Sequence, residues 1–312
     1  MSATAAWTGD RFAHEAFVFD RDAQALDRVV PFVDEGLRRG EPVIVVVAAT
    51  TAAIVRTALG SDVDRLELFA ESEAWWRGDA YRTLAAYADV MAPLQAAGQP
   101  WRLVGEPVWL AYDRGHHWSR LESACNESFA EVPYYSLCLH DRRRLDASTL
   151  EHVARTHPTT WRGGGVVPEP AYESPVDYLR SVEPAWTEPA AREHVADVTS
   201  PAAARRLVAS AAVVTVDPDA VVLTASELAS NALVAAPACR VSTWVDGSYL
   251  VVEVADHGPG FDAGLAGYVP PSSDALAGRG LWMVRHLAAD LGLRSDGTGT
   301  FARARFPLAD RR

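Results

Sequence analysis

Cysteine is scarce: the 312 residues hold three, Cys125, Cys138 and Cys239, and no two form a C-x-x-C pair. So odd and scattered a set excludes a disulfide framework and reads as reduced thiols without the clustered ligands of a zinc site. Long apolar runs are missing too. The longest, Pro42 to Val55, contains two threonines and falls short of the ~18 residues a membrane span requires. The opening Met-Ser-Ala-Thr-Ala-Ala-Trp has neither the basic nor the apolar region of a secretory signal. Positive charge is in deficit, 29 Lys and Arg against 41 Asp and Glu, for a net charge of -12. Such a field repels phosphate backbones and anionic lipid heads, which argues against direct nucleic-acid or membrane binding and leaves protein partners. The expectation is a soluble cytoplasmic protein.

What is present is ordinary globular material, 49% hydrophobic and 22% charged, in a chain long enough for two domains. The N-terminal half alternates strand-like and helix-like segments. Ala16–Phe19 is a short apolar run, and Leu26, Val29, Val30, Val33 and Leu37 then make one helical stripe that Gly40 ends. Val43–Val47 is continuous and β-branched, as a strand buried on both faces requires. A helix over Tyr81–Ala97, a strand at Arg102–Val104, a helix over His117–Phe129 and a strand at Tyr135–Leu139 follow. Strands alternating with helices predict a mainly parallel α/β sheet.

Between about Arg162 and Pro189 the composition shifts to Gly163-Gly-Gly165 and five prolines, the signature of a linker with one helical turn near Val176–Arg180. The boundaries drawn are 1–165, a linker at 166–189, and 190–312. In the last segment Ser200-Pro201 opens a helix, and Asp217 or Asp219 opens another that runs to about Ala236. Arg240–Val245 and Tyr249–Ala255 form a hairpin turning at Asp246-Gly247. After a polar loop, Phe261–Ala277, come a helix over Leu281–Leu291 and a last hairpin turning at Asp296-Gly297. Helices gathered against a mostly antiparallel sheet predict an α+β sandwich.

Four short patterns in this segment carry chemistry. On the helix ending near Ala236, Thr224, Glu227 and Asn231 recur at helical spacing, so a carboxylate and an amide are neighbours. That pair can serve a hydrated Mg²⁺ and orient or deprotonate a nucleophile, although a solvated polar face has the same spacing. Asp256-His-Gly258-Pro-Gly260 ends a strand in an acid followed by two glycines. The carboxylate can accept a hydrogen bond from an exocyclic amine while the glycines admit a flat base, and a plain turn has the same composition. Gly278-Arg279-Gly280-Leu281 runs directly into a helix, whose free N–H groups suit phosphate. Gly297-Thr-Gly299-Thr300 is a turn and strand placed to close the pocket.

In this order and at these separations the four patterns resemble the N, G1 and G2 boxes and last strand of the GHKL (Bergerat-fold) ATPases, over nearly all of residues 190–312. The resemblance implies ATP and Mg²⁺ as cofactors, with Asn231 holding the metal and Asp256 reading the adenine amine. Gly258 and Gly260 would shape the base pocket, Gly278, Arg279, Gly280 and Leu281 would bind phosphates, Thr300 would help close the adenine pocket, and Glu227 would be the general base. The short loop between the glycine boxes, and the lack of an upstream phospho-accepting helix, resemble the anti-sigma-factor serine/threonine kinase branch. Its members sequester a sigma factor and phosphorylate an antagonist, and a homodimer is allowed. One departure stands beside the metal site: where the family pattern reads N-A-x-x-H, Ala235 replaces the histidine and Pro237 ends the helix early. Two alternatives remain, a non-catalytic, nucleotide-dependent partner-binding switch and a histidine-kinase-like protein acting on an external histidine.

The N-terminal half resembles the MEDS sensory domain. The residues behind this are His14 before the first strand, Gly36-Leu-Arg-Arg-Gly40-Glu-Pro-Val-Ile-Val, Gly105-Glu106-Pro107-Val-Trp109, Trp118-Ser-Arg-Leu-Glu122, Cys138-Leu-His140-Asp141 and Thr156-His157-Pro158. A RecA-like α/β fold that senses a small molecule or relays a protein contact is implied. No Walker A loop follows Val43–Val47, which argues against nucleotide hydrolysis in this half. Gly105, Glu106 and Pro107 follow a strand, where α/β sheets place ligands, and an exposed loop is the competing reading. His14, His116, His117, His140 and His157 fit no metal-ligand spacing and read as structural or surface histidines.

Overall fold

The computed structural model describes residues 7–70, 76–77, 80–112, 117–183, 186–212, 214–268 and 279–309. Contacts divide the chain into two compact units, Met1–Tyr178 and Leu179–Arg312. Among the described residues no helix is long and apolar enough to cross a membrane.

In the first unit the alternation expected from the sequence yields β1 (Ala13–Phe19), α1 (Asp22–Arg39), β2 (Val43–Val47), α2 (Ala49–Leu59), β3 (Glu67–Ala70), α3 (Ala80–Ala97), β4 (Trp101–Gly105), α4 (His117–Ser128), β5 (Tyr134–Asp141), α5 (Ala147–Thr156), β6 (Thr159–Arg162) and β7 (Gly165–Pro168). The sheet order is β3-β2-β4-β5-β1-β6-β7. Every pairing is parallel except β6 with β7. All five residues of β2 are buried, as a strand covered on both faces demands.

Side chains alternate across the sheet. One face presents Phe17, Phe19, Val43, Val45, Val47, Val104, Tyr135, Leu137 and Leu139 to Ala25, Val29 and Val33 of α1 and Ala52 and Val55 of α2. Buried ion pairs accompany that core: the Arg28 Nε donates to Glu15 Oε1 at 2.7 Å, the Tyr135 hydroxyl donates to Glu15 Oε2, and the Arg102 Nε donates to Glu41 Oε2 at 2.6 Å.

The proline-rich stretch expected as a linker from 166 begins as structure. Gly163 and Gly164, both with positive φ, turn the chain back so that Val166–Pro168 pair antiparallel with β6. Pro168, which lacks a donor, ends the strand. A short helix, α6 (Pro175–Ser181), follows.

The second unit contains β8 (Glu193–Val198), α7 (Pro201–Ala212), α8 (Pro218–Ala235), β9 (Cys239–Asp246), β10 (Tyr249–Asp256), α9 (Arg279–Leu287), β11 (Asp290–Asp296) and β12 (Gly299–Pro307). The sheet is antiparallel throughout, ordered β11-β12-β10-β9-β8. Asp217 caps α8 by accepting from the Ala220 N–H, with Pro218 in the first turn. Alternate residues such as Leu250, Val252, Val254, Ala302, Ala304 and Phe306 join Val208, Val221, Leu228 and Val284 in a single core.

Two expectations shift. The third helix of this unit stops at Leu287, and Leu291 belongs to β11, because its backbone is held opposite Ala304 in the sheet. Both hairpin turns sit one residue later than expected, on 247–248 and 297–298, with Asp246 and Asp296 closing the ladders.

Candidate functional site

In the second unit a cavity of about 270 Å³ is lined by Leu228, Asn231, Ala232 and Ala235 of α8, Val254 and Asp256 of β10, Gly260 and Phe261, Gly280 and Leu281 of α9, and Leu293, Thr300 and Ala302 of β11 and β12. Six residues singled out from the sequence therefore share one space: Asn231, Asp256, Gly260, Gly280, Leu281 and Thr300. Gly258 sits beside it, and Glu227 reaches its edge. Arg279 is exposed at the first position of α9, and Gly278 lies outside the described residues.

Register does much of the assembly. Asp256 stands directly opposite Thr300 across the β10–β12 ladder, so both side chains rise on the same face. Asp256 is buried, and its Oδ1 accepts the Gly258 N–H at 2.8 Å. The Thr300 hydroxyl is 3.0 Å from Ser295 Oγ, which also accepts the Phe261 N–H at 2.9 Å. Ser295 thereby ties the glycine turn to the final hairpin, a role with no signal in the sequence.

Bare backbone forms the walls. A Cβ on Gly260, whose φ is +71°, would lie 1.9 Å from the Asp296 carbonyl oxygen, and one on Gly299 would lie 2.1 Å from that of Asp256. Only glycine permits these backbone contacts. A Cβ on Gly280 would lie 2.9 Å from Glu227 Oε2 and 3.4 Å from Asn231 Nδ2, which locates both polar ends at the start of α9. Thr224, expected on the same polar stripe, is instead fully buried. The stripe runs from the core at Thr224, through half-buried Glu227, to exposed Asn231.

The first unit has its own cavity, on the sheet face opposite α1 and α2. Its lining includes His14, Gly105, Pro107, Ser136 and Cys138 from the sheet side, Tyr87 and Met91 from α3, and Trp118 and Glu122 from α4. Three of the four sensory candidates are therefore together. Glu106 is turned elsewhere: its Oε2 accepts the Ala48 N–H at 2.9 Å, at the start of α2, whose N-cap residue Ala48 has no capping side chain of its own. Burial raises its pKa, against the lowering effect of that backbone bond. The exposed-loop reading of Gly105-Glu106-Pro107 is overturned, since all three are buried.

No ligand pattern is visible in the histidine spacing, yet folding brings His14 and His157 together with Cys138. His116 lies outside the described residues.

A family model described as MEDS, the methanogen/methylotroph, DcmR sensory domain, matches residues 13–158, and one described as histidine kinase-like ATPase domain matches residues 187–306. The chain carries a MEDS domain followed by a histidine kinase-like ATPase domain. Among solved structures it is similar to the Acinetobacter baumannii histidine kinase AdeS, at 16% identity over 30% of this chain and 48% of that one, with a TM-score of 0.23. It is also similar to the histidine kinase domain of a blue-light activated histidine kinase from Erythrobacter litoralis, at 22% identity over 43% of this chain and 75% of that one, with a TM-score of 0.24. The chain thus spans about half the length of the AdeS chain. No curated protein matches it.

The ATPase domain implies ATP binding, and the cavity suits such a ligand. It offers one buried carboxylate as acceptor, walls without side chains, and a helix start facing an amide and a carboxylate. One further residue of the ATPase domain escaped the sequence reading. Arg285 is buried in α9, donates to the carbonyl oxygens of Ala266 and Leu291 at 3.0 Å each, and stacks 3.7 Å from the Tyr268 ring. It fastens the segment that follows the glycine turn onto α9.

Proposed function

We propose that this chain is a signalling regulator in which the MEDS domain controls an ATP- and Mg²⁺-dependent serine/threonine protein kinase of the anti-sigma-factor type. The carrying observation is the meeting of Glu227 and Asn231 at Gly280, beside a cavity that Asp256 also lines. Bound nucleotide supplies a phosphoryl donor whose charge Mg²⁺ offsets. Asp256 accepts the hydrogen bond of an exocyclic amine, Gly258 and Gly260 leave room for a flat base, and Thr300 closes that end. Gly278, Arg279, Gly280 and Leu281 present the α9 start to phosphates. Asn231 offers its amide oxygen to Mg²⁺, and Glu227 takes the proton of an incoming serine or threonine hydroxyl. A sigma factor or its antagonist is the partner, and a RecA-like MEDS domain receives the signal.

Ala235 supports a second reading. It lines the cavity where the kinase pattern has histidine, which suits a partner-binding switch that uses nucleotide without transferring phosphate. One experiment separates the two: radiolabelled ATP with Mg²⁺ and candidate partners, scored for phosphoserine and phosphothreonine. The kinase reading expects transfer by the wild type, retained nucleotide binding but no transfer by Glu227→Ala, and no binding by Asn231→Asp. Nucleotide binding without transfer by the wild type favours the switch. Undiminished transfer by Glu227→Ala removes Glu227 as the base.

A further inference from the structure

Three side chains far apart in sequence converge inside the MEDS domain. His14 lies in β1, Cys138 in β5, and His157 immediately after α5; all are buried, and their ligand atoms lie within 4.8 Å of one another. Parallel pairing sets His14 beside Ser136 and Ala16 beside Cys138, so period-two alternation puts His14 and Cys138 on one face as diagonal neighbours. His14 Nε2 is 3.4 Å from Cys138 Sγ, and the His14 and His157 ring centroids are 4.0 Å apart.

The outward nitrogens are already committed. Asn126 donates through Nδ2 to the carbonyl oxygens of Thr156 and Glu122. That orients its Oδ1 toward His14 Nδ1, 3.0 Å away, so Nδ1 carries the proton and donates. His157 Nδ1 likewise donates to the Val153 carbonyl oxygen at 2.8 Å. Both imidazoles therefore keep a lone pair on Nε2; that of His14 lies against the thiol, and His157 brings a ring nitrogen to the same cluster. Among the described residues His157 Nε2 finds no hydrogen-bond partner, although it is buried. A buried polar atom left in that state costs stability unless something occupies the place it points to.

We infer that His14 Nε2, His157 Nε2 and Cys138 Sγ are the ligands of a borderline-soft divalent cation of the Zn²⁺ class. Two imidazoles and a thiolate are a donor set suited to such an ion, and metal-bound histidines usually donate their other ring N–H to an oxygen, as His14 does to Asn126 and His157 to Val153. Tetrahedral ligands at roughly 2.0–2.3 Å from one ion lie about 3.5 Å apart, so the triad closes around it with side-chain movement alone. Binding replaces the S–H bond by a metal–sulfur bond and releases the proton to solvent. One positive charge then remains on the ion and its three ligands, and the Glu122 carboxyl lines the same cavity as His14 and Cys138. Three protein ligands leave a fourth position, and the cavity of about 70 Å³ beside the triad is where it opens.

The test uses the full chain, freed of metal by chelator dialysis and titrated with Co²⁺, then Zn²⁺. One equivalent of Co²⁺ is expected to give a thiolate-to-metal charge-transfer band in the near ultraviolet with tetrahedral d–d bands, abolished by one equivalent of Zn²⁺. Cys138→Ser is expected to lose the charge-transfer band, while Cys125→Ser and Cys239→Ser keep it. Asn126→Ala, which leaves every ligand in place, is expected to weaken Co²⁺ binding by roughly 10–100-fold. A wild-type protein that takes up Co²⁺ without a thiolate band, or takes up none, overturns the site whatever the variants do. A band lost in Cys125→Ser or Cys239→Ser but kept in Cys138→Ser overturns the assignment.

Discussion

Replacing Gly280 by alanine separates the site from the fold. Gly280 lies in the first turn of α9, a helix of nine residues, where alanine is ordinarily favoured over glycine by about 0.5–1 kcal/mol. The added methyl would meet Glu227 Oε2 at 2.9 Å and Asn231 Nδ2 at 3.4 Å. Both atoms end side chains that can swing aside, so the fold should hold its stability to within about 1 kcal/mol of wild type. The damage falls on the groups proposed to meet phosphate and metal. A tenfold weaker affinity corresponds to about 1.4 kcal/mol. Denaturant unfolding with and without Mg-ATP, at a hundred times the wild-type Kd, measures both quantities together. Wild type should gain about 2.7 kcal/mol from the ligand, and Gly280→Ala about 1.4 kcal/mol or less. A variant that keeps the full gain refutes the placement of phosphates at α9. A variant that loses more than about 2 kcal/mol without ligand shows a packing glycine instead.

Arg285→Ala should cost about 3 kcal/mol by removing two charged hydrogen bonds and a stacked ring, with faster amide exchange over 263–268; unchanged exchange there refutes the fastening role. Arg28→Ala strands the buried Glu15 carboxylate and should destabilise the MEDS domain by about 3–5 kcal/mol, whereas replacing both partners with apolar residues should recover most of the loss. A loss below about 1 kcal/mol in the single variant would show that Glu15 is not held as an ion. For Glu106 the native pKa is raised above its ordinary 4.5 by burial, so the folded state holds the proton to higher pH than the unfolded chain. Stability contributed by this group is present below pH 4.5 and lost as pH rises through the native value. Glu106→Gln should remove that fall from stability measured against pH; an unchanged slope assigns it to another group.

Much of this architecture is legible because local chemistry and global packing agree. The β-branched run Val43–Val47 has only one comfortable place in an α/β unit, the middle of a covered sheet. Asp-Gly turns fixed both hairpins to within a residue, and thereby the register that brings Asp256 opposite Thr300. The illegible parts have physical reasons. Strand β8, Glu193–Val198, exposes most of its residues at a sheet edge and so lacks an apolar alternation. The end of α9 was hidden because Leu287 and Leu291 share a helical spacing, although a strand takes the second. Thr224 looked like part of a polar face, but helical spacing does not say at which depth the stripe enters the core. The convergence of His14, Cys138 and His157 depends on parallel pairing between strands more than a hundred residues apart, which no local spacing records.

Glu106 bears on what the start of α2 can bind. A helix that follows a parallel strand offers its first amides to an anion, and this is how many α/β sheets receive a phosphate. At the start of α2 the Ala48 amide already holds the Glu106 carboxylate. The MEDS domain thus fills this helix start with a carboxyl group of its own, tethered to the same fold. A phosphate-bearing ligand would find no free amide at Ala48, so any such ligand of the MEDS domain has to be held elsewhere.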